Sequence, residues 1–332
     1  MKALVLEAIG QLVYKDVPTP APKVGEVLLR VKACGICSSD FDRCLTTGTY
    51  HFPTIPGHEF SGQIAAVGEG VDPSLVGKRA VVLPLLPDHT CDQCQIEAYA
   101  RCKNYDYHGS RCDGAFAEYL VTPVWNVQTF DDSLDYKVAA LCEPAAVAYH
   151  GISAANLKPG SKALVVGTGA IGIMVGLWAR EAGSEVTFAC RNEKKKAFIE
   201  SFGFDSFHDG KSNDFDAALE CVGSNEALEM VINAVKPAAT IVLVGNPDGD
   251  KLISRKVYWK ILRAELSIKG VWNSSYTASN NEWQKVLRAF EKNSNVFSKL
   301  ITHTFPLSDG LSAFATLKDP RAFAVKGMFV ND

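Results

Sequence analysis

Short apolar runs separated by glycine and proline dominate the chain from Met1 to about residue 130. Runs of this length, rich in valine, leucine and aromatic residues and ending at turn residues, are typical of β-strands. The clearest examples are EVLLRVKAC, GQIAAVG, KRAVVLPLL and FAEYLVTP. This part of the chain is therefore predicted to form a compact, β-rich domain.

After the segment NLKPGSK the pattern changes to an alternation of strand-like and helix-like stretches. The strand-like runs are ALVV, EVTFAC, FDAALECVG and ATIVLVG, and helical patterns such as EKKKAFIESFG and EALEMVINAV lie between them. Such an alternation predicts a parallel sheet covered by helices on both faces. The polar link 207–214 is too short for a crossover helix, so one helix of the usual set is expected to be missing.

The chain after about residue 280 no longer continues this alternation and is expected to return to the first domain. A length of 332 residues also exceeds what one hydrophobic core usually serves. We therefore predict an α/β protein with a discontinuous first domain, residues 1–148 and 282–332, and a second domain, residues 149–281.

The composition of the chain argues against two functional classes, nucleic-acid-binding proteins and membrane-spanning proteins. Hydrophobic residues make up 47% of the chain and charged residues 21%, as in ordinary globular proteins, and the formal net charge is −3. This balance argues against a nucleic-acid partner. The stretch 163–179 is uncharged, but its glycines directly follow a strand-like run, which favours a strand–turn–helix junction over a membrane span.

The N-terminal residues and the cysteines favour a cytoplasmic location. The segment MKALVLEAIG reaches Glu7 before an apolar run is long enough for a signal peptide. In a reducing compartment the ten cysteines are expected to be metal ligands, catalytic thiols or small core residues rather than disulfides.

The segment VVGTGAIG indicates a dinucleotide-binding turn. It places Gly167, Gly169 and Gly172 in the spacing GxGxxG, after a strand and at the start of a helix that Ala170 and Ile171 open. The glycines permit a tight turn, a close approach of backbone to a pyrophosphate, and close packing of helix on strand. The phosphates then rest on the helix N-terminus.

The end of the second strand of this domain favours NADP over NAD. An acidic residue that would bind the ribose hydroxyls is expected there, but Cys190, Arg191 and Asn192 occupy these positions. Arg191 can bind a 2′-phosphate with its fork of donors, and Lys195 can add a second positive charge. The alternative is that Arg191 and the lysines after it are only the solvent-exposed start of a helix and do not bind the cofactor.

Three separated segments of the first domain supply metal donors: Cys37, the pair His58 and Glu59, and Glu143. A thiolate, an imidazole and carboxylates suit zinc, and three firm ligands leave a position open for a substrate oxygen. Each residue alone also has a purely structural explanation, as a small core residue, a turn histidine or an acid at a helix start.

Four segments in this order resemble the zinc-dependent medium-chain dehydrogenases, in particular their polyol dehydrogenase branch. They are GICSSD, PGHEFSGQIAAVGEGV, CEPAAVAYHG and VVGTGAIG, and the resemblance covers essentially the whole chain. It implies a GroES-like catalytic domain built from both chain ends, a Rossmann domain between them, zinc and NADP or NAD as cofactors, and a homodimer or homotetramer.

The resemblance makes Cys37, His58 and Glu59 zinc ligands, with Glu143 binding directly or through water. It also implies that Asp40 is a carboxylate near the metal that does not bind it but orients the residues that do.

The resemblance implies that Ser39 passes on the proton of the alcohol, which suits a hydroxyl because it both donates and accepts hydrogen bonds. Asp42 stands where related enzymes often have a histidine, so the last step of that proton path departs from the family pattern.

The resemblance also implies a second, structural zinc site, which in the family has four cysteines. Here Cys91, Cys94 and Cys102 match, and the position of the first cysteine is Asp88. A carboxylate oxygen is an acceptable zinc ligand. We therefore expect zinc bound by Asp88 and the three cysteines; His89 in place of Asp88, or a lobe with free thiols, are the alternatives.

The implied reaction is hydride transfer between the cofactor and the secondary alcohol or ketone of a polyol or sugar-alcohol phosphate. A phosphorylated substrate needs a cationic anchor, for which Arg111, Lys260 and Arg263 are candidates. The alternatives are an unphosphorylated polyol or short alcohol as substrate and, from another class, a redox-silent binding protein on the same fold.

Overall fold

The computed structural model describes residues 1–208, 210, 212–319 and 321–331, which form two compact units. The first unit comprises residues 1–143 and 275–331, and the second comprises residues 144–274. The chain therefore passes between units after residues 143 and 274, where we expected 148 and 281.

The strands and helices of the described ranges are numbered separately along the chain. The strands are β1 Lys2–Ala8, β2 Gln11–Asp16, β3 Glu26–Ile36, β4 Glu59–Val67, β5 Arg79–Val82, β6 Leu85–Leu86, β7 Asp106–Tyr107, β8 Tyr119–Pro123, β9 Val127–Thr129, β10 Lys162–Val166, β11 Glu185–Ala189, β12 Phe215–Glu220, β13 Val235–Leu243, β14 Ser267–Gly270, β15 Ile301–Pro306 and β16 Lys326–Val330. The α-helices are α1 Ser38–Asp42, α2 Asp92–Gln95, α3 Tyr136–Ala140, α4 Cys142–Ala155, α5 Ala170–Glu181, α6 Glu193–Glu200, α7 Asn225–Ala234, α8 Arg255–Arg263, α9 Glu282–Ser298 and α10 Leu311–Lys318.

A seven-stranded sheet organises the first unit, in the order β15-β16-β3-β4-β5-β9, with β8 pairing along β3. The β1–β2 hairpin and the short β6–β7 pair complete its strands. Strand β16 lies directly beside β3, so residues from both ends of the sequence share one sheet. The β-rich first domain that the sequence predicted is confirmed.

Aromatic side chains fill the core of the first unit beside this sheet. Phe116 is fully buried and meets Phe329 with its ring centre 4.9 Å away and Phe314 at 6.3 Å, both edge to face. Such pairs contribute beyond the area that they bury. Phe116 also borders Gly57, where a Cβ would lie 2.4 Å from the Phe116 ring, so this core fixes the turn that precedes His58.

The second unit contains a parallel five-stranded sheet in the order β11-β10-β12-β13-β14. The central strands are buried along nearly their whole length, as in sheets that are covered on both faces. This confirms the alternation of strands and helices that the sequence predicted.

The connection between β11 and β12 has fewer secondary-structure elements than the sheet's usual set. Beyond β11 the only pairing among the described residues is a single bridge between Phe188 and Phe207. The described residues between β11 and β12 form one helix, α6, and the polar link that follows has no helix in the part the structure describes; Asp209 and Lys211 lie outside the described residues. Strand β11 thus stands almost at the edge of the sheet.

Within the described ranges, we find no helix that combines the length and the apolar character needed to cross a membrane.

Candidate active site

Strand β3 delivers Cys37 to the start of α1. Cys37 has extended backbone angles and precedes the helix, and its N–H donates to the Asp40 carboxylate at 2.9 Å. An acidic group at this position satisfies a helix N–H that has no partner in the helix. This hydrogen bond therefore fixes the backbone of Cys37 at the start of the helix.

His58 and Glu59 enter at the start of β4, which pairs antiparallel with β3. The register places Gly35 opposite Glu59, so the end of β3 and the start of β4 meet. One donor atom each from Cys37, His58 and Glu59 lies within 4.8 Å of the other two. His58 and Glu59 are buried, and Cys37 is partly exposed.

A buried lysine holds the Glu59 carboxylate. Lys326 of β16 is 6% exposed, and its ammonium donates to the two Glu59 oxygens at 2.8 and 2.7 Å. Burial lowers the pKa of a lysine, but here Glu59 and Cys37 outweigh it and raise the pKa of Lys326, so the ammonium stays charged.

The Glu59 carboxylate also requires that residue 35 has no side chain. A Cβ built on Gly35 would lie 2.2 Å from Glu59 Oε2. Because Lys326 holds that carboxylate, it has little freedom to move aside. Gly35 is therefore part of the site although it offers no ligand atom.

A second buried carboxylate, Asp40, lies behind His58. Its Oδ1 is 3.3 Å from His58 Nδ1 and 3.4 Å from Arg43 Nη1. Burial would raise the pKa of Asp40, but His58 and Arg43 hold it below its usual value. A carboxylate hydrogen-bonded to one ring nitrogen orients the other nitrogen toward a metal.

Ser39 has its hydroxyl at the edge of the donor group. It donates to Cys37 Sγ at 3.3 Å and accepts from Arg43 Nη1 at 3.0 Å. Arg43 opens a π-helical turn, Arg43–Thr47, that directly follows α1. Asp42 is exposed and makes no side-chain hydrogen bond to the described residues. Arg43, not Asp42, is therefore the neighbour of the Ser39 hydroxyl.

Glu143 is buried but does not belong to the three-donor group. The Tyr107 hydroxyl donates to Glu143 Oε1 at 3.3 Å, and the Tyr107 ring lies 5.7 Å from the His58 ring, centre to centre. Burial raises the pKa of Glu143 to about 7. Glu143 thus stands beside the group as a carboxyl that can gain or lose a proton near neutral pH.

The cysteine lobe brings its four donors together. Asp88, Cys91, Cys94 and Cys102 each have one donor atom within 4.8 Å of the other three. The cysteines are free of disulfides. His89 is not in this group, because its ring packs edge to face on Trp125 at 4.7 Å.

Hydrogen bonds fix the direction of the Asp88 carboxylate. Its Oδ1 accepts the N–H groups of Thr90 at 2.9 Å and Cys91 at 3.0 Å, and its Oδ2 accepts from Asn104 at 2.8 Å. The two backbone bonds lower the pKa of Asp88, so the group is ionised as a zinc ligand must be.

The three glycines of the turn before α5 have three different environments. Gly167 has φ +125° and would press a Cβ against Cys221 at 3.0 Å, and a Cβ on Gly172 would lie 2.1 Å from the Gly167 oxygen. Gly169, in contrast, has open space around its Cβ position. The turn therefore leaves room for a ligand at Gly169, directly before Ala170 begins the helix.

Arg191 and Lys195 lie at the start of α6, and both are exposed. Neither side chain has an ion pair or hydrogen bond with another described residue, whereas neighbouring Lys196 is paired with Glu193 at 2.8 Å. Arg191 thus offers an unpaired cation just beyond β11.

The three candidate anchors for a phosphate have different surroundings. Lys260 donates to the Asn233 oxygen at 2.6 Å, and Arg263 lies over the Trp259 ring at 5.0 Å, both in the second unit. Arg111 lies in the first unit between two tyrosine rings.

Sequence reasoning missed Arg43, Tyr107 and Lys326. A signal existed for Lys326, because it interrupts the apolar run AVKGMFV, and a lysine in a buried strand needs a partner. Arg43 lies one helical turn after Ser39, which is the spacing at which helical side chains meet. Tyr107 carried no such signal.

The residues present fit zinc at both places. One group offers a thiol, an imidazole and a carboxylate, and the Glu143 carboxyl stands beside it as a further donor. The other offers three thiols and an ionised carboxylate. Both donor sets are those that zinc prefers.

Comparison with known proteins agrees with this fold. Residues 23–132 match the alcohol dehydrogenase GroES-like domain, and residues 170–292 match the zinc-binding dehydrogenase domain. The chain belongs to the zinc-type medium-chain dehydrogenases of the polyol dehydrogenase branch. The predicted GroES-like and Rossmann-type domains are confirmed, and so are the oxidoreductase class and the cofactors zinc and NAD or NADP.

Several relatives match over nearly their full length. Galactitol 1-phosphate 5-dehydrogenase of Escherichia coli K12 is 31% identical, over 91% of this chain and 92% of the relative. D-altritol 5-dehydrogenase of Agrobacterium fabrum is 31% identical, over 98% and 99%. Among solved structures, a zinc-binding dehydrogenase of Sinorhizobium meliloti 1021 bound to NADP has a TM-score of 0.91 and 26% identity, over 99% of both chains.

Proposed function

We propose that this protein transfers hydride between a nicotinamide cofactor and the secondary alcohol or ketone of an acyclic polyol or a sugar-alcohol phosphate. The observation that carries the proposal is the three-donor group of Cys37, His58 and Glu59 with the Ser39 hydroxyl at its edge. The two sugar-alcohol relatives support the substrate class, since both are named as 5-dehydrogenases of a sugar alcohol or its phosphate.

Within this proposal the buried side chains hold the metal ligands. Cys37, His58 and Glu59 bind zinc, and Glu143 binds it directly or through a water. Asp40 orients the His58 ring. When bound, zinc supplies a Lewis acid that lowers the pKa of an alcohol, and the nicotinamide supplies the hydride acceptor.

Ser39 has the role of moving the proton of the substrate hydroxyl. Its oxygen accepts a hydrogen bond from Arg43 at 3.0 Å, and its own hydrogen, which is donated to Cys37 Sγ at 3.3 Å in this structure, is the one to be exchanged. A guanidinium stays protonated, so Arg43 cannot take the proton from Ser39. The proton therefore leaves Ser39 toward solvent, and Arg43 positions the hydroxyl and contributes positive charge next to it.

NADP is the preferred cofactor in this proposal. The exposed, unpaired Arg191 follows β11 without any acidic residue beside it, and Lys195 lies on the next helical turn. The NADP bound to the similar Sinorhizobium meliloti structure supports this preference.

Arg191→Ala is expected to weaken NADP binding and leave NAD binding nearly unchanged. Charge-assisted hydrogen bonds of this kind contribute about 1.5–3 kcal/mol, which is about 10- to 100-fold in affinity. The KM for each cofactor, from initial rates, measures the effect. Lys196→Ala is the matched control, since Glu193 already pairs with Lys196. An equal loss for both cofactors would contradict the preference for NADP.

A second zinc ion is proposed at Asp88, Cys91, Cys94 and Cys102. The mutual approach of the four donors and the ionised state of Asp88 support it. These four residues would hold zinc in a structural role, because four protein ligands leave no position for a substrate.

We also propose a homo-oligomer in the cytoplasm. Strand β14 is an edge of the five-stranded sheet and all four of its residues are exposed, and large apolar side chains nearby are exposed as well. An uncovered edge strand pairs readily with another chain. All ten cysteines are without disulfides, which suits a reducing compartment.

Initial rates with galactitol 1-phosphate and with galactitol, each with NAD and NADP, test the function. We expect the reduced cofactor to form with at least one of the two alcohols, and to stop forming when a chelator removes zinc. Turnover that survives complete zinc removal would contradict the proposal. Cofactor binding without turnover of any polyol or ketose phosphate would favour the redox-silent alternative.

A further inference from the structure

We infer that Arg111 and the hydroxyl of Tyr50 form a binding site for the phosphate ester of the substrate. This inference rests on the proposed function, because it selects the phosphorylated sugar alcohols among the possible substrates. The site consists of Tyr50, Tyr105 and Arg111, all in the first unit, and we call it the tyrosine–arginine clamp.

Two tyrosine rings lie close to the Arg111 guanidinium. The guanidinium carbon lies 4.3 Å from the centre of the Tyr50 ring and 4.4 Å from the centre of the Tyr105 ring. Contacts with two rings restrain a side chain that is otherwise flexible.

The Arg111 guanidinium keeps unused hydrogen-bond donors and a positive charge that no described carboxylate neutralises. Arg111 Nη2 donates to the Tyr50 hydroxyl at 3.2 Å and Nη1 donates to the Tyr105 backbone oxygen at 3.3 Å. A guanidinium has five N–H donors, so others remain. Among the residues that the structure describes, no carboxylate forms an ion pair with Arg111.

Tyr50 adds a second donor on the same side. Its side chain is a largely exposed aromatic, with 69% of its surface accessible. The hydroxyl accepts from Arg111 and keeps its own hydrogen, which can be donated to an anionic oxygen. A fork of N–H donors beside an O–H donor matches the oxygens of a phosphate monoester.

Ring contacts connect the clamp to the three-donor group. The Tyr105 ring lies 6.4 Å from the Tyr107 ring, and Tyr107 lies 5.7 Å from the His58 ring. On the other side, the Arg111 backbone oxygen is 3.1 Å from His51 Nε2, which helps to fix the loop. The clamp is therefore linked to His58 through Tyr105 and Tyr107, within the first unit.

The other cations are less suited to this role. Arg43 approaches Asp40 at 3.4 Å, and Lys260 donates to a backbone oxygen. Arg263 lies over the ring of Trp259, and no second ring contacts its guanidinium among the described residues. A clamped, unneutralised Arg111 remains the best match to a dianion.

Kinetics with galactitol 1-phosphate and galactitol test the inference on the zinc-loaded protein. Arg111→Met is expected to lower kcat/KM for the phosphate ester by roughly 30-fold, as for the loss of a hydrogen bond to a charged group, mainly through KM. The value for galactitol should change less than about 2-fold, because the phosphate is the group that Arg111 recognises. Tyr50→Phe should show a smaller loss of the same selectivity.

Matched variants distinguish a loss of phosphate recognition from a general effect of the substitution on folding. Arg111→Lys keeps the charge but not the fork and should recover part of the loss. Arg321→Met removes the same charge from an exposed ion pair with Asp319 and should leave both substrates unaffected. Arg263→Met tests the rival anchor, and a selective loss there instead of at Arg111 would overturn the inference.

The outcomes distinguish this inference from the proposed function. An equal effect of Arg111→Met on both substrates, or no effect on either, would overturn the inference while the dehydrogenase activity stands. If neither substrate turns over, the proposed function fails. The inference about the clamp is then tested by calorimetric binding of galactitol 1-phosphate. Binding weakened in Arg111→Met then supports the clamp, and binding that is absent or unchanged refutes it.

Discussion

Replacing Cys37 with alanine is expected to reduce kcat by about 10³-fold or more while cofactor binding remains nearly intact. Loss of a ligand removes several kcal/mol of charge stabilisation in the transition state, and each 1.4 kcal/mol is about tenfold in rate. The glycines and Arg191 that we propose as cofactor-binding residues lie in the second unit, so their structure does not depend on the thiol. Initial rates and titration of NADPH fluorescence measure the two effects.

Zinc content gives an independent measure of the same change. With both donor groups loaded we expect two zinc ions per chain, and one in Cys37→Ala. Cys34→Ala is the matched control, because Cys34 is a buried thiol of the preceding strand that belongs to neither donor group. Full turnover in Cys37→Ala, or loss of both ions in it, would refute the assignment of Cys37.

Replacing Lys326 with methionine is expected to lower the free energy of unfolding of the first unit by about 3–5 kcal/mol, because it leaves the Glu59 carboxylate buried without its counter-ion. Glu59 is 1% exposed, and both of its oxygens accept from Lys326. Urea dependence of hydrogen exchange at the backbone amides of β3 and β4 measures this loss in the first unit itself.

The double variant Glu59→Gln with Lys326→Met separates charge from packing. It removes both charges, so it should be more stable than Lys326→Met alone, although it lacks the three hydrogen bonds that Lys326 donates to Glu59 and Ile36 in the unchanged chain. A double variant less stable than Lys326→Met would show that the unpaired carboxylate is not the cause. In addition, zinc content of Lys326→Met should fall, because Glu59 is no longer held toward Cys37 and His58.

The fold was largely predictable because its signals are local. The runs that predicted β10, β11, β12 and β13 are buried strands bounded by turns, and the structure contains them. Helix α4 was anticipated only at its start, as the structural explanation of Glu143. Its alanines at 145, 146 and 148 are all fully buried, so no polar face alternates with an apolar one to reveal the helical period.

The candidate site was predictable only where its residues carry a recognisable spacing. Cys37, His58 and Glu59 come from such segments, and the structure brings them together. Lys326 is 267 residues away from Glu59 along the chain, so their contact arises from the pairing of β16 with β3 and from no local pattern. The role of Gly35 likewise follows only from the strand register that sets it opposite Glu59.

The placement of β16 has a consequence for how the chain is made on the ribosome. The segment 144–274 is continuous and can fold as soon as it emerges, since domains generally fold as units during synthesis. The first unit must wait, because its central sheet lacks β16 and Glu59 lacks Lys326 until the chain beyond residue 326 has been translated. The nascent protein can therefore complete the fold of its second unit before it can complete the fold of its first unit.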